Sequence, residues 1–279
     1  MRLTLTYITI TYNAADVLQR TLDSVLQQDY DQIVHLIIDG GSTDGTLQMV
    51  NDYIARNNSR ADGHMVQVTS EPDHGIYDAM NKGLRSATGD YVCFLNAGDT
   101  LPSPTTASDI VAKTTAMLNY QTTERQVQTA DAKPQNLPAV LYGDTDITDA
   151  NGQFLHHRRL SPPEKLSWLS FRKGMLVCHQ AFYARTDFAV ANPFDTRYRY
   201  SADVDWCIRI MHQSDKEGIP MLNLHAVVAN YMQEGTTTRH HRESLMERFH
   251  IMRHHYGLFT TLFMHFGFLI RTLKHSKKH

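Results

Sequence analysis

The chain has 279 residues, 42% apolar and 20% charged, with a net charge of −2 and a pI near 6.8. That length holds one large α/β domain or two small ones, and the balance of residue types excludes a disordered chain. The near-neutral charge excludes a general nucleic-acid footprint. Cys93, Cys178 and Cys207 are odd in number and lack metal-ligand spacing, which points to a reducing, cytoplasmic compartment and not to a disulfide framework.

Leu3 to Ile10 is rich in β-formers and predicts a first strand, with no signal-peptide layout. Val17, Leu18, Leu22, Val25 and Leu26 recur at helical spacing, which predicts a helix over Ala14 to Gln28. Val34 to Ile38 reads as a buried strand ending at Asp39, followed by a Gly40 to Gly45 loop and a helix marked by Leu47, Val50 and Ile54. Met65 to Val68 is a short third strand, and Ile76, Met80 and Leu84 mark a third helix closed by Gly89. Tyr91 to Leu95 suits a strand covered on both faces, and it ends abruptly in Asn96, Ala97, Gly98 and Asp99. Such alternation predicts a parallel sheet with right-handed crossovers. The polar clusters Thr11 to Asn13, Asp39 to Asp44, Glu71 to Asp78 and Asn96 to Asp99 all follow strands, so all fall on the sheet edge where α/β folds bind ligands.

Beyond Pro104, Ala107 to Leu118 continues as a helix, and 121–138 reads as an exposed insertion. Val140 to Gly143 and Phe154 to Leu160 read as strands, and Pro162 to Phe171 as a short helix. Met175 to Tyr183 reads as extended chain carrying His179 and Gln180. Tyr198 to Asp203 leads into a helix with Trp206, Ile210 and Met211, and Met221 to Tyr231 is a strand pair or a strand and loop. Arg239 to Tyr256 is helical, with Leu245, Phe249 and Met252 on one side. From Arg239 to His279 there are eight Lys or Arg against two Glu. Leu258 to Ile270 is apolar but too short and interrupted to span a bilayer, so this tail suits an acidic inner membrane surface, or packing on the rest of the chain or a second subunit. The sixteen histidines include three adjacent pairs, which point to different faces, and structural zinc is not expected.

The Gly40 to Gly45 loop matches neither common phosphate-binding motif; its acidic ends suit a base or ribose, while Ser42 or Asp44 would also cap the next helix. Taken in order, Thr11-Tyr12-Asn13, Asp39 to Thr46, Glu71 to Gly83, Ala87 to Tyr91 and Leu95 to Asp99 resemble the family 2 glycosyltransferases of GT-A type. Within that family the likeness is to the bacterial branch that builds capsules, exopolysaccharides and O-antigens. It is strong over about the first 100 residues, looser from Val140 to about Thr238, and weak in the tail.

The resemblance implies a Rossmann-like, mostly parallel α/β sheet flanked by helices, with a catalytic domain over 1–238 and a helical extension over 239–279. The domain would have a nucleotide-binding half at 1–104 and an acceptor half at 139–238. It implies an inverting transfer from a nucleotide-diphosphate sugar to a hydroxyl of a lipid-linked glycan acceptor, at or near the inner membrane face. Thr11, Tyr12, Asn13, Asp39, Ser42, Asp78, Lys82, Asn96 and Ala97 would form the nucleotide pocket, with Asp39 accepting from the base. Asp99 would hold Mg²⁺ or Mn²⁺ against the diphosphate. Asn96 and Gly98 depart from the family's Asp-x-Asp. Asp203, in Ala202-Asp203-Val204-Asp205, matches the catalytic base; a base there is expected to be desolvated with a raised pKa. His179 and Gln180 fall on the acceptor side, and Gly235-Thr236-Thr237 resembles a closing loop. The alternatives are a sugar nucleotidyltransferase, which Thr9 to Ala14 disfavours for want of a basic Gly-rich loop, and a non-catalytic nucleotide-sugar-binding protein.

Overall fold

A computed structural model describes residues 2–125, 137–233 and 241–266. The expected insertion beyond Arg125, the 235–237 loop and the basic end of the tail lie outside these residues. Strands β1 (Leu5–Thr11), β2 (Ile33–Asp39), β3 (Met65–Ser70) and β4 (Tyr91–Phe94) alternate with helices α1 (Ala15–Leu26), α2 (Thr46–Asn58) and α3 (Ile76–Ser86). β1, β2 and β4 are buried at every position, including Thr6, Thr9 and Thr11 of β1 and His35 of β2, as strands covered on both faces are. β3 has an exposed and alternating pattern because it is the sheet edge.

One sheet runs through both halves of the chain, in the order β3-β2-β1-β4 and then β7 (Phe182–Arg185), β5 (Val140–Thr148) and β6 (Phe154–His157). β8 (Met221–Met232) pairs parallel with the free side of β5. The chain winds outward from β1 to β3 and then returns to β4 on the other side of β1. This reversal opens a crevice at the carboxyl ends of β1 and β4. α3 reaches the sheet closely enough that a Cβ on Gly83 would stand 2.5 Å from Ile8 Cγ2.

Several elements differ from the sequence expectation. α4 (Thr106–Arg125) runs five residues into the expected insertion. β5 runs on to Thr148, because β8 supplies a partner along its length. The helix expected at Pro162 starts only at Trp168, as a 3-10 helix to Lys173, where Ser167 and Ser170 form a capping box. The extended run before β7 is broken by a 3-10 turn over His179–Ala181. α5 (Thr186–Ala191) was not expected, and Met221–Met232 is one strand kinked at His225 (φ 48°), not a pair. In α7 (His241–Tyr256) the inward residues are Ser244, Ile251, Met252 and Tyr256, while Leu245 is exposed. Polar fasteners chose that face: the Ser201 and Ser244 hydroxyls meet at 2.9 Å, and His255 Nε2 lies 2.7 Å from Asp205 in α6 (Ala202–Glu217). Ile251, Met252 and Tyr256 belong to the main core, so α7 is built into the catalytic body and is not an appendage.

Phe194 anchors the wall between sheet and α6. It stacks on Trp206 (centroids 4.9 Å) and Tyr77 (5.5 Å) and meets the edge of Phe94. The Asn81 amide clasps its backbone, accepting from Phe194 N at 2.7 Å and donating to its carbonyl at 2.9 Å. Asn81→Ala strands two buried backbone groups, so urea denaturation should show a loss of about 2–4 kcal/mol, against about 1 kcal/mol for an ordinary hydrogen bond.

Candidate active site

A cleft of about 1000 Å³ opens at the crevice and is lined on one side by Thr11, Tyr12, Asp73, Tyr77, Asp78 and Asn96. Asp99, His179, Gln180, Arg199, Asp203 and Met232 line the other. Sheet pairing explains why distant segments meet here. β4 and β7 are antiparallel, with Tyr91 opposite Arg185 and Val92 opposite Ala184. Continuing that register brings the turn before β7 beside the loop after β4, so His179 and Gln180 face Asn96 to Asp99. On the far side, Thr100 and Asn230 exchange backbone hydrogen bonds at 3.0 and 2.8 Å, which delivers Met232 to Asp99.

Asp99 is 3% exposed. Its Oδ1 accepts from Met232 N at 3.0 Å and its Oδ2 from Gln180 Nε2 at 2.9 Å. Burial raises its carboxyl to about 6, although both donors pull the other way. Gln180 is oriented in turn by the Cys178 thiol, which donates to its Oε1 at 2.6 Å; burial pushes that thiol up to about 11, so it stays protonated. Gly98 shapes the approach. Its φ is +99°, and a Cβ there would meet Met232 Cε at 2.6 Å.

Asp203 lies in the first turn of α6, where the helix dipole favours an anion. Tyr77 donates its hydroxyl to Oδ1 at 3.1 Å, and His179 Nδ1 lies 3.2 Å from Oδ2. Burial pushes Asp203 up, but the His179 contact, the Arg248 charge and the Tyr77 hydrogen bond together hold it below the usual carboxylate range. The desolvation expected for this residue is present; the expected rise is not. Asp203 retains 14% of its side-chain surface and so remains reachable from the cleft. His179 Nε2 continues the chain to Asn96 Nδ2 at 3.2 Å.

Of the sequence-selected residues, Thr11, Tyr12, Asp78, Asn96, Ala97, Asp99, His179, Gln180 and Asp203 line the cleft. Asn13, Asp39, Ser42 and Lys82 do not. Asp39 is fully buried, and its carboxylate accepts from Gly41 N, Ser42 N, Ser42 Oγ and Ser70 Oγ, which organises the loop after β2. Ser42 Oγ also accepts from Asn13 N. Lys82 is turned away onto Pro72 O and Glu71. Sequence reasoning passed over Tyr77, although it sits inside the Glu71 to Gly83 motif, and Arg248, which nothing in the sequence connects to Asp203.

The donor set fits a hard cation only as part of a ternary site. Asp99 supplies a carboxylate, and Asn96 Oδ1 is buried without a hydrogen-bond partner. Among the described residues no three His, Cys, Asp or Glu side chains converge as a self-sufficient metal cage. One carboxylate, an unsatisfied amide oxygen and oxygens from a bound phosphate are what Mg²⁺ or Mn²⁺ sites with substrate ligands use.

Residues 6–116 match the sequence profile of Glycosyl transferase family 2. A PGL/p-HBAD biosynthesis glycosyltransferase of Mycobacterium bovis (strain BCG / Pasteur 1173P2) is 32% identical over 226 residues, covering 81% of this chain and 75% of that protein. The chain belongs to glycosyl transferase family 2. Amylovoran biosynthesis glycosyltransferase AmsB of Erwinia amylovora is 28% identical over 224 residues, covering 79% of the transferase and 66% of AmsB. S. aureus TarS 1-349, solved with UDP-GlcNAc, superposes with a TM-score of 0.62 at 17% identity over 90% of the transferase and 64% of TarS. A mannosyltransferase of Pyrobaculum calidifontis, solved with GDP-Man and Mn²⁺, has a TM-score of 0.57 at 21% identity, covering 89% of the transferase and 64% of that chain. The transferase therefore has the GT-A fold expected from its sequence, and it spans less than two thirds of these two structures.

The Asp99 carboxyl is raised above its unfolded value of 3.8. Stability from its neutral form is complete below that value and is lost as pH rises through about 6, by on the order of 3 kcal/mol. In metal-free buffer, Asp99→Asn should therefore gain melting temperature relative to the wild type as pH rises across this window. Parallel pH profiles for the two proteins would refute the burial argument.

Proposed function

We propose that this transferase is an inverting, metal-dependent enzyme that moves a sugar from a nucleotide-diphosphate donor to a hydroxyl of a glycan acceptor. The reading rests on one arrangement: two carboxylates lining the cleft, the buried Asp99 and the partly exposed Asp203, each held by one of two consecutive residues in a single turn. Asp99 with Asn96 would hold the cation against the diphosphate, and a bound cation supplies charge neutralisation for the leaving group. Thr11, Tyr12, Asp78 and Ala97 shape the nucleotide side of the cleft. Asp203 accepts the proton of the acceptor hydroxyl; the new C–O bond forms at the anomeric carbon as the bond to the diphosphate breaks on the opposite face. The electron pair of the broken bond leaves with the nucleoside diphosphate. His179 and Gln180 are positioning residues in this scheme, since each directs a carboxylate instead of offering a free group to the acceptor.

A low-lying Asp203 is ionised throughout the neutral range, so no proton has to leave it before reaction. The Erwinia relative is named for biosynthesis of the polysaccharide amylovoran, which supports a glycan acceptor; a lipid-linked glycan is the form we propose for it. UDP is the first donor to test, because the superposing TarS structure was solved with UDP-GlcNAc.

Thermal shift with UDP-, dTDP- and GDP-sugars, with and without Mn²⁺, tests the pocket. One nucleotide should stabilise the wild type in a Mn²⁺-dependent manner, and Asp99→Ala should abolish that dependence. Asp203→Asn should keep the donor shift while transfer falls about a hundredfold or more. Unchanged turnover in Asp203→Asn would remove it from the reaction. Gln180→Ala frees one Asp99 oxygen from its orienting partner, and its Mn²⁺ affinity should drop about tenfold or more, as loss of a supporting hydrogen bond does at metal sites.

A further inference from the structure

Beyond Tyr256 the chain turns at Gly257 (φ +80°) and continues as helix over 258–266. This helix has a docked inner side and an apolar outer side. Its inner side docks on the body: Thr261 is fully buried, Met264 packs on the main core, and the His265 ring meets the edge of Phe249 at 5.2 Å. Its outer side carries Leu258, Phe259, Leu262, Phe263 and Phe266, spaced so that they form one stripe. Phe259 is 87% exposed, Phe263 76% and Phe266 63%. Scattered single exposed hydrophobics need no explanation, but a contiguous aromatic stripe marks an interaction surface.

We propose that this stripe is a membrane-surface helix that lies in the headgroup region of an anionic lipid leaflet. Charge identifies the occupant. Residues 267–279 bring Arg271, Lys274, Lys277 and Lys278 and no acidic residue, and 258–266 contains no acidic residue either. Aromatic burial and a polybasic segment are the two signals that stable interfacial binding requires together. The stripe is far shorter than a bilayer, and no helix among the described residues is long and apolar enough to cross one. The helix is also mechanically tied to the cleft. α7 leads directly into it, and Glu247 of α7 accepts from the backbone N–H groups of Arg199 and Tyr200, which line the cleft, at 2.7 and 2.8 Å. Seating 258–266 on lipid therefore fixes the height and orientation of the cleft wall formed by 196–200. Lipid binding does not depend on the catalytic reading and is measured without turnover.

The test is co-sedimentation of the full chain with vesicles of phosphatidylcholine alone and of equal parts phosphatidylcholine and phosphatidylglycerol. The protein should partition onto the anionic vesicles, and added salt should weaken binding as it shortens the Debye length. The double variant Phe259→Ser with Phe263→Ser should lose about tenfold or more of that partition. Replacing Arg271, Lys274, Lys277 and Lys278 by Gln should abolish the preference for phosphatidylglycerol. Unchanged melting temperatures confirm that the variants fold. Equal partition of wild type and aromatic variant, or none onto either vesicle, overturns the proposal. So does a wild-type dimer in sedimentation velocity, without lipid, that the aromatic variant converts to monomer, because the stripe would then be a contact between copies.

Discussion

The site depends on the antiparallel pairing of β4 with β7. A parallel neighbour would put the start of β7 at the far end of the sheet from the loop after β4. The antiparallel register instead places the His179-Gln180 turn beside Asn96 to Asp99. From there Gln180 holds Asp99 and His179 holds Asp203, so the distance between the two carboxylates is set by two adjacent residues of one turn. The remaining supports converge on this point: β8 brings a backbone N–H to Asp99, and the Phe194 stack keeps Tyr77 pointed at Asp203.

Asp99 is buried and Asp203 keeps a little exposure to the cleft, desolvation pushes both carboxyls up, and yet the two move in opposite directions. Desolvation of Asp99 is opposed by the Met232 N–H, the Gln180 amide and the more weakly felt charge of His179, which together do not outweigh it. Asp203 has an imidazole, a phenol, a nearby guanidinium and a helix N-terminus around it, and these do outweigh desolvation. Environments that push two acids apart commonly assign them different tasks. A carboxylate that is costly to ionise when alone gains most from a cation, and one held ionised at all neutral pH is ready to receive a proton.

The second half of the chain serves this arrangement more than it forms a separate unit. α7 contributes to the main core, pins α6 through His255 and Asp205, and holds the cleft loop through Glu247. After the turn at Gly257 the chain continues into the helix that carries the exposed aromatic stripe, so a surface contact and the cleft wall are joined through α7.

Composition and periodicity alone determined the α/β class, the first four strands and three helices, and the sheet edge carrying the site. Short apolar runs rich in β-formers and bounded by turn residues fit strands covered on both faces, and residues following parallel strands must emerge on one edge. The segmented motifs also singled out Asp99, Asp203 and the family, because glycines and carboxylates at loop positions keep a signature that needs no long-range contact. What the tertiary structure decided was how those groups are used. Asp39 was expected to accept from a base, and its carboxylate is taken up by Gly41 and Ser42 beside it and by Ser70 from the end of β3. Asp203 was expected to rise and instead falls, because Tyr77, His179 and Arg248 reach it from distant parts of the sequence. α7 is rotated so that Leu245, expected inward, is exposed while Met252 stays buried, and Ser244 and His255 take inward positions through polar contacts to Ser201 and Asp205. Each of these outcomes is a sum over partners that only the folded chain brings within hydrogen-bond distance, and no local window of sequence contains that sum.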